Sequence, residues 1–90
     1  MSQIIVTVSG VDKTGIVAAV ANVLAQYKVN IEDIKQTLMQ GHFVMFMLCD
    51  IKNSTHSFKE IKEALENVGK TLAMEIWVQR KELFDKMHTV

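Results

Sequence analysis

The sequence predicts an α+β sandwich: one four-stranded antiparallel sheet, two helices on one face, and a short C-terminal helix. Three observations carry this expectation. Period-two apolar runs mark strands near both ends and in the middle of the chain. Between them, two stripes at helical spacing each follow a turn or a capping signal. The dipeptide Gln40-Gly41 joins two of the strands as a hairpin.

From the N-terminus, Gln3 to Ser9 reads as a strand, with β-branched Ile4, Val6 and Val8 alternating with Ile5 and Thr7. Ser9 to Gly15 breaks the pattern with turn formers, and Asp12 or Thr14 is placed to cap the helix that follows. That helix runs from about Thr14 to Tyr27, with Ile16, Val20, Val23, Leu24 and Tyr27 on one stripe. Val29-Asn30-Ile31 ends it and opens a strand that reaches about Gln40. Ile31 and Ile34 are out of phase, which a bulge near Glu32-Asp33 repairs.

His42 to Asp50 is the third strand and is apolar on both faces: Phe43, Met45, Met47 and Cys49 on one, Val44, Phe46 and Leu48 on the other. Ser57 and Glu60 form a capping-box pair ahead of a helix whose stripe is Phe58, Ile61, Leu65 and Val68, with Gly69 as its C′ residue. Thr71 to Gln79 reads as the fourth strand, with Leu72, Met74, Ile76 and Val78 on one face and Ala73 and Trp77 on the other. Leu83, Phe84 and Met87 give the tail, about Arg80 to His88, a helical pattern. The order β-α-β-β-α-β is that of a ferredoxin-like sandwich. Two helices cover one face only, yet Ile5, Phe46 and Trp77 fall on the other. The tail helix, a second subunit or both are therefore expected to cover it.

Ninety residues make one domain, residues 1–90, with a core at about 3–79 and a helical tail at about 80–90. Ten basic and ten acidic residues give zero formal charge, against a nucleic-acid partner, which needs a basic excess. No apolar run approaches the ~20 residues of a membrane helix, and no membrane partner is expected. Met1 leads straight into strand residues without a basic n-region, and Cys49 is the single cysteine, so a cytoplasmic location is expected.

Candidate chemistry is sparse. His42, Cys49 and His56 match no zinc spacing, and a metal site is not expected. Cys49 lies within an apolar strand, where a thiol is ordinarily inert. The adjacent acids Glu32 and Asp33 point to opposite faces of a strand. With no nucleophile elbow, phosphate loop or paired-carboxylate motif, no catalytic residues and no cofactor are expected.

Within this architecture, an RNA-binding sheet would need aromatics on its middle strands, and a copper carrier a Cys-x-x-Cys in the first loop. The loop present is different. Ser9-Gly10-Val11-Asp12-Lys13-Thr14-Gly15-Ile16-Val17 resembles the signature between strand one and helix one of ACT domains, roughly G-x-D-x-x-G followed by aliphatics. Val29-Asn30-Ile31-Glu32-Asp33-Ile34 resembles the family's V-N-I-x-x-I opening of strand two. The resemblance spans about Gln3 to Gln79 and extends to small stand-alone ACT proteins and the ACT halves of the glycine-cleavage repressor. Thr14 stands where the family usually has proline.

The resemblance implies a regulatory domain that homodimerises side by side and holds a small ligand, an amino acid or a relative, between the Asp12 loop of one chain and the Asn30 segment of its partner. Gly10, Val11, Asp12, Lys13, Thr14, Gly15, Asn30 and Ile31 are the residues it assigns to the ligand. Output would pass to an unknown protein partner. Free N–H groups at a helix N-terminus attract a carboxylate, Asp12 suits an ammonium group, and Asn30 suits either end. A plainer role stands beside each: Asp12 as a helix cap, Gly15 for helix–strand packing, Asn30 as a cap on the turn after the first helix.

Overall fold

The computed structural model describes residues 2–87. The elements are β1 (Gln3–Val11), α1 (Ile16–Gln26), β2 (Asn30–Met39), β3 (His42–Asp50), α2 (Phe58–Leu72), β4 (Glu75–Arg80) and α3 (Lys81–Met87). They build the expected ferredoxin-like sandwich. The sheet order is β2-β3-β1-β4, every pairing is antiparallel, and β2 and β4 are its edges.

Period-two patterning places Ile4, Val6 and Val8 of β1, Met45, Met47 and Cys49 of β3, and Ile76 and Val78 of β4 on the helix-bearing face, all buried. Against them lie Ile16, Val20 and Leu24 of α1 and Ile61 and Leu65 of α2. Their burial, at roughly 1.5–3 kcal/mol for each large side chain, is the main force holding the layers together. At the edge of the helix layer, the Arg80 guanidinium stacks 4.4 Å from the Phe58 ring centroid.

Two local devices stand as the sequence indicates. The pairing of β2 with β3 slips between Ile31 and Asp33, so Glu32 is the extra residue of a bulge. Gln40 and Gly41, with φ of 51° and 82°, form a two-residue turn with both φ positive, the geometry that suits the strand twist.

Four expectations are corrected. β1 does not stop at Ser9; Gly10 and Val11 pair with Phe43 and His42 and lengthen it. Neither Asp12 nor Thr14 caps α1: the N-cap is Gly15, and the helix starts at Ile16. Gly69 does not end α2 but lies within it, and its lack of a side chain serves close packing: a Cβ there would stand 2.8 Å from the Met74 carbonyl oxygen. The left-handed residue is Ala73, with Met74 N–H donating to the Gly69 carbonyl and Ala73 N–H to that of Lys70. Thr71 to Ala73 therefore finish the helix, and β4 begins only at Glu75. Ala73 consequently plays no part in the second face of the sheet.

That second face is covered in part by the tail helix of the same chain. Phe84 of α3 meets the Phe46 ring edge-on at 6.3 Å, and Gln79 donates to the Met87 sulfur. Ile5 beneath is 8% exposed, while Trp77 remains 63% exposed. His88, at the end of the expected tail, lies outside the described residues.

Candidate functional site

The segment Asp12–Gly15 is a short loop pinned at two points. The Asp12 N–H donates to the Gly41 carbonyl at 2.9 Å, tying the loop to the β2–β3 hairpin. The Lys13 ammonium donates to the Leu72 carbonyl at 2.5 Å, at the C-terminus of α2. A cation there complements the helix dipole, so Lys13 has a structural partner. Gly15 holds φ 86°, a left-handed conformation that favours glycine, and accepts the Ala19 N–H. No side chain caps α1 and its first turn carries no acid, so among the described residues no side chain satisfies or neutralises its leading N–H groups. Among the described residues, no hydrogen bond or ion pair engages the Asp12 carboxylate.

The other candidates divide. A Cβ on Gly10 would stand 2.7 Å from the Met74 sulfur, so this glycine makes room for a core side chain. Val11 is 69% exposed at the strand end, and Thr14 is exposed in the turn. Asn30 is exposed and opens β2; it does not cap α1, because Lys28 takes the left-handed position and the Val29 N–H bonds the Leu24 carbonyl. Ile31 turns inward and packs on the core.

Within one chain the two halves of the candidate site stay apart. The loop sits at the end of the sheet where Val11 pairs with His42; Asn30 sits at the other end, opposite Asp50. Eight residue steps of strand separate these rows, about 26 Å. His42, Cys49 and His56 are likewise scattered: His42 at the hairpin, Cys49 buried at the far end of the same strand, and His56 against the Tyr27 ring, tilted by 52° with centroids 4.5 Å apart. Among the described residues, no group of three or more His, Cys, Asp or Glu side chains is arranged to hold a metal. Burial, reinforced by the charge of Glu32, pushes the Cys49 thiol up to about 12. Glu60 titrates below its usual range, chiefly because its carboxylate accepts the Ser57 N–H.

One contact has no signature in the sequence. Ser9 Oγ and His42 Nε2 lie 3.1 Å apart on the helix-free face, brought together by the register of β1 against β3. Among the described residues, no carboxylate pairs with His42, so the orienting member of a catalytic triad is missing. No described helix is long and apolar enough to cross a membrane.

The model of the ACT domain matches residues 2–79, from just before β1 to the penultimate residue of β4. The chain belongs to the ACT domain family. ACT domains are regulatory ligand-binding modules, and this ACT domain is similar to other small ones over nearly its whole length. A UPF0237 protein of Listeria monocytogenes is 46% identical over 84 residues, covering 93% of this chain and 94% of the relative. The solved ACT domain protein from Streptococcus pneumoniae superposes with a TM-score of 0.79 at 34% identity, covering 91% of this chain and 92% of that one. A putative glycine cleavage system transcriptional repressor has the same fold, with a TM-score of 0.77 at 22% identity over 87% of this chain and 44% of that one.

Proposed function

We propose that this ACT domain is a sensor of an amino acid or a closely related zwitterion, bound between two copies of the chain, and that it reports the bound state to a partner protein. One observation carries the reading. The Asp12 loop and Asn30 lie at opposite ends of the sheet, and the strand between them, β2, is a free edge. A two-fold axis that sets β2 against β2 of a second copy, antiparallel, brings the loop end of each copy to the Asn30 end of the other. The same strand carries Ile34 and Leu38 exposed, Leu38 to 60%, which is the apolar surface such a pairing buries.

The chemistry of the two segments suits a zwitterion. The uncapped N–H groups of α1 attract a carboxylate. Asp12 offers an acceptor for the ammonium group, and Asn30 supplies both a donor and an acceptor. Lys13 is occupied by the Leu72 carbonyl, so the loop presents no competing cation.

A thermal-shift screen against the twenty amino acids tests the reading. One of them should raise the melting temperature by mass action, and Asp12→Ala or Asn30→Ala should remove that rise while the unliganded chain melts nearly as before. Silence across the whole panel would sink the sensor and leave a module that acts through protein contacts alone. The exposed Trp77 and Phe46 are the observation in favour of that second function.

A further inference from the structure

We propose that Lys13 couples the candidate ligand loop to the far end of α2, so that a ligand held by the loop tightens the last turn of that helix. This coupling rests on the sensor reading above and concerns how the bound state leaves the site. Lys13 lies two residues ahead of Gly15, the N-cap of α1. Its ammonium donates to the carbonyl of Leu72, the last residue of α2 and 59 positions away in the chain. One side chain thus joins the start of one helix to the end of the other. Among the described residues no carboxylate forms an ion pair with Lys13, so none draws it from that carbonyl.

The end of α2 is a place where such a tie matters. The final carbonyls of a helix have no intrahelical donor. Lys13 supplies one to Leu72, and its charge complements the helix dipole. The next residue, Ala73, holds φ 56°, a left-handed conformation that a residue with a Cβ adopts reluctantly. Its N–H reaches the Lys70 carbonyl only at 3.3 Å, against 2.8 Å for the Met74 N–H on the Gly69 carbonyl. A second contact brackets the same turn. Gly10, on the strand that leads into the loop, passes so near Met74 that a Cβ would stand 3.6 Å from the Met74 Cα. Ala73 is therefore held between Lys13 on Leu72 and Gly10 against Met74.

The loop itself is sparsely tied. Its backbone bonds are those of Asp12 to Gly41 and of Gly15 to Ala19, and the exposed side chains of Asp12 and Thr14 make no hydrogen bond among the described residues. A zwitterion that engages the leading N–H groups of α1 and the Asp12 carboxylate restrains the loop on both sides of Lys13. Restraint of the loop steadies the ammonium on Leu72, which is coupling through lost local freedom without a change of fold. Thr71 and Leu72 also line a groove of about 330 Å³ between α1 and α2, together with Ala19, Val23 and Val68. Firming that turn firms one wall of the groove, so the bound state is expressed on the helix layer. The coupling is reciprocal: whatever steadies the end of α2 strengthens ligand binding by the same factor.

Amide exchange of the full chain, read residue by residue by NMR, tests this. Without ligand, Lys13→Met should speed exchange of the Ala73 and Met74 amides about two- to fivefold, the effect of a cation at a helix C-terminus. Lys13→Arg should restore the wild-type rates. The Glu60 amide, bonded to Ser57 at the other end of α2, should not respond. The amino acid that gives the largest thermal shift is then added at saturation. It should slow exchange at Ala73 and Met74 about two- to fivefold in the wild type and leave both unchanged in Lys13→Met, whose affinity should be weaker by about the same factor. Exchange at these two amides that is alike in the unliganded wild type and Lys13→Met overturns the proposal. A Lys13→Met chain with no thermal shift left also overturns it, because Lys13 is then a ligand contact. A thermal shift without slower exchange at Ala73 and Met74 in the wild type sinks the coupling alone. Silence from all twenty amino acids sinks the sensor reading and the coupling with it.

Discussion

At the scale of single residues, backbone conformation and close approach decide more than side-chain chemistry. Gly69 and Ala73 divide a task that sequence patterning assigns to Gly69 alone. The helix must pass so near the start of β4 that only glycine fits at 69, while the left-handed turn falls four residues later on a residue with a Cβ. Gly69→Ala should therefore cost about 1–3 kcal/mol, the usual penalty for overpacking. Ala73→Gly should gain several tenths of a kcal/mol by relieving the left-handed strain. Urea unfolding of both variants checks the pair, and a harmless Gly69→Ala would refute the close-approach argument. Cys49 supplies a second test. Its folded pKa is raised to about 12 from an ordinary 9.0, so the folded chain holds a proton that the unfolded chain has released. The stabilisation is complete below about pH 9 and is lost as pH rises toward 12. Stability of the wild type should fall over that window more steeply than that of Cys49→Ala, and a disulfide reagent should leave the folded thiol unmodified at neutral pH.

At the scale of elements, α1 and α2 start by opposite means. At α2, the Ser57 Oγ accepts the Glu60 N–H at 3.1 Å, and the Glu60 carboxylate accepts the Ser57 N–H at 2.8 Å. Ser57→Ala should destabilise the chain by about 1 kcal/mol in urea unfolding. Because Glu60 titrates below its usual 4.5, the contribution of its carboxylate is present above that pH and fades as pH falls through the lowered value. Acid unfolding of Glu60→Ala, which removes the titrating carboxylate itself, should accordingly be less steep than that of the wild type. An unchanged acid limb would show that the box adds nothing. At α1 there is no such box, only Gly15. The capping box was legible because it is a local spacing of side chains. The bare N-terminus of α1 was not, because Asp12 and Thr14 are good capping residues that the loop's ties to Gly41 and Leu72 hold away from the cap position.

At the scale of the whole molecule, an edge strand and an open face are left over when the core is complete. β2 is exposed along nearly its entire length, with Leu38 and Met39 at 60% and 68%. Natural proteins blunt such edges or pair them. If the edge is paired, Leu38→Glu should lower the mass seen by light scattering while the far-ultraviolet spectrum stays unchanged, and should also remove any stabilisation by an amino acid. An unchanged mass would remove β2 from the interface.

The sequence by itself determined the element order, the hairpin at Gln40-Gly41, the bulge at Glu32 and the inward residues of β1 and β3. All of these follow from periodicity and turn chemistry within a few residues of one another. The two loop signatures also carried the family. Only the tertiary structure decided where the ends of elements fall, since the close packing of Gly69 against Met74 and the pinning of the Asp12 loop involve residues far apart in the chain. Only the structure set Ser9 beside His42, laid Phe84 over Phe46, and put Asn30 at the far end of the sheet from Asp12. The physical reason is the same in each case: strand register and layer packing fix distances between residues dozens of positions apart, and local propensity carries no information about them.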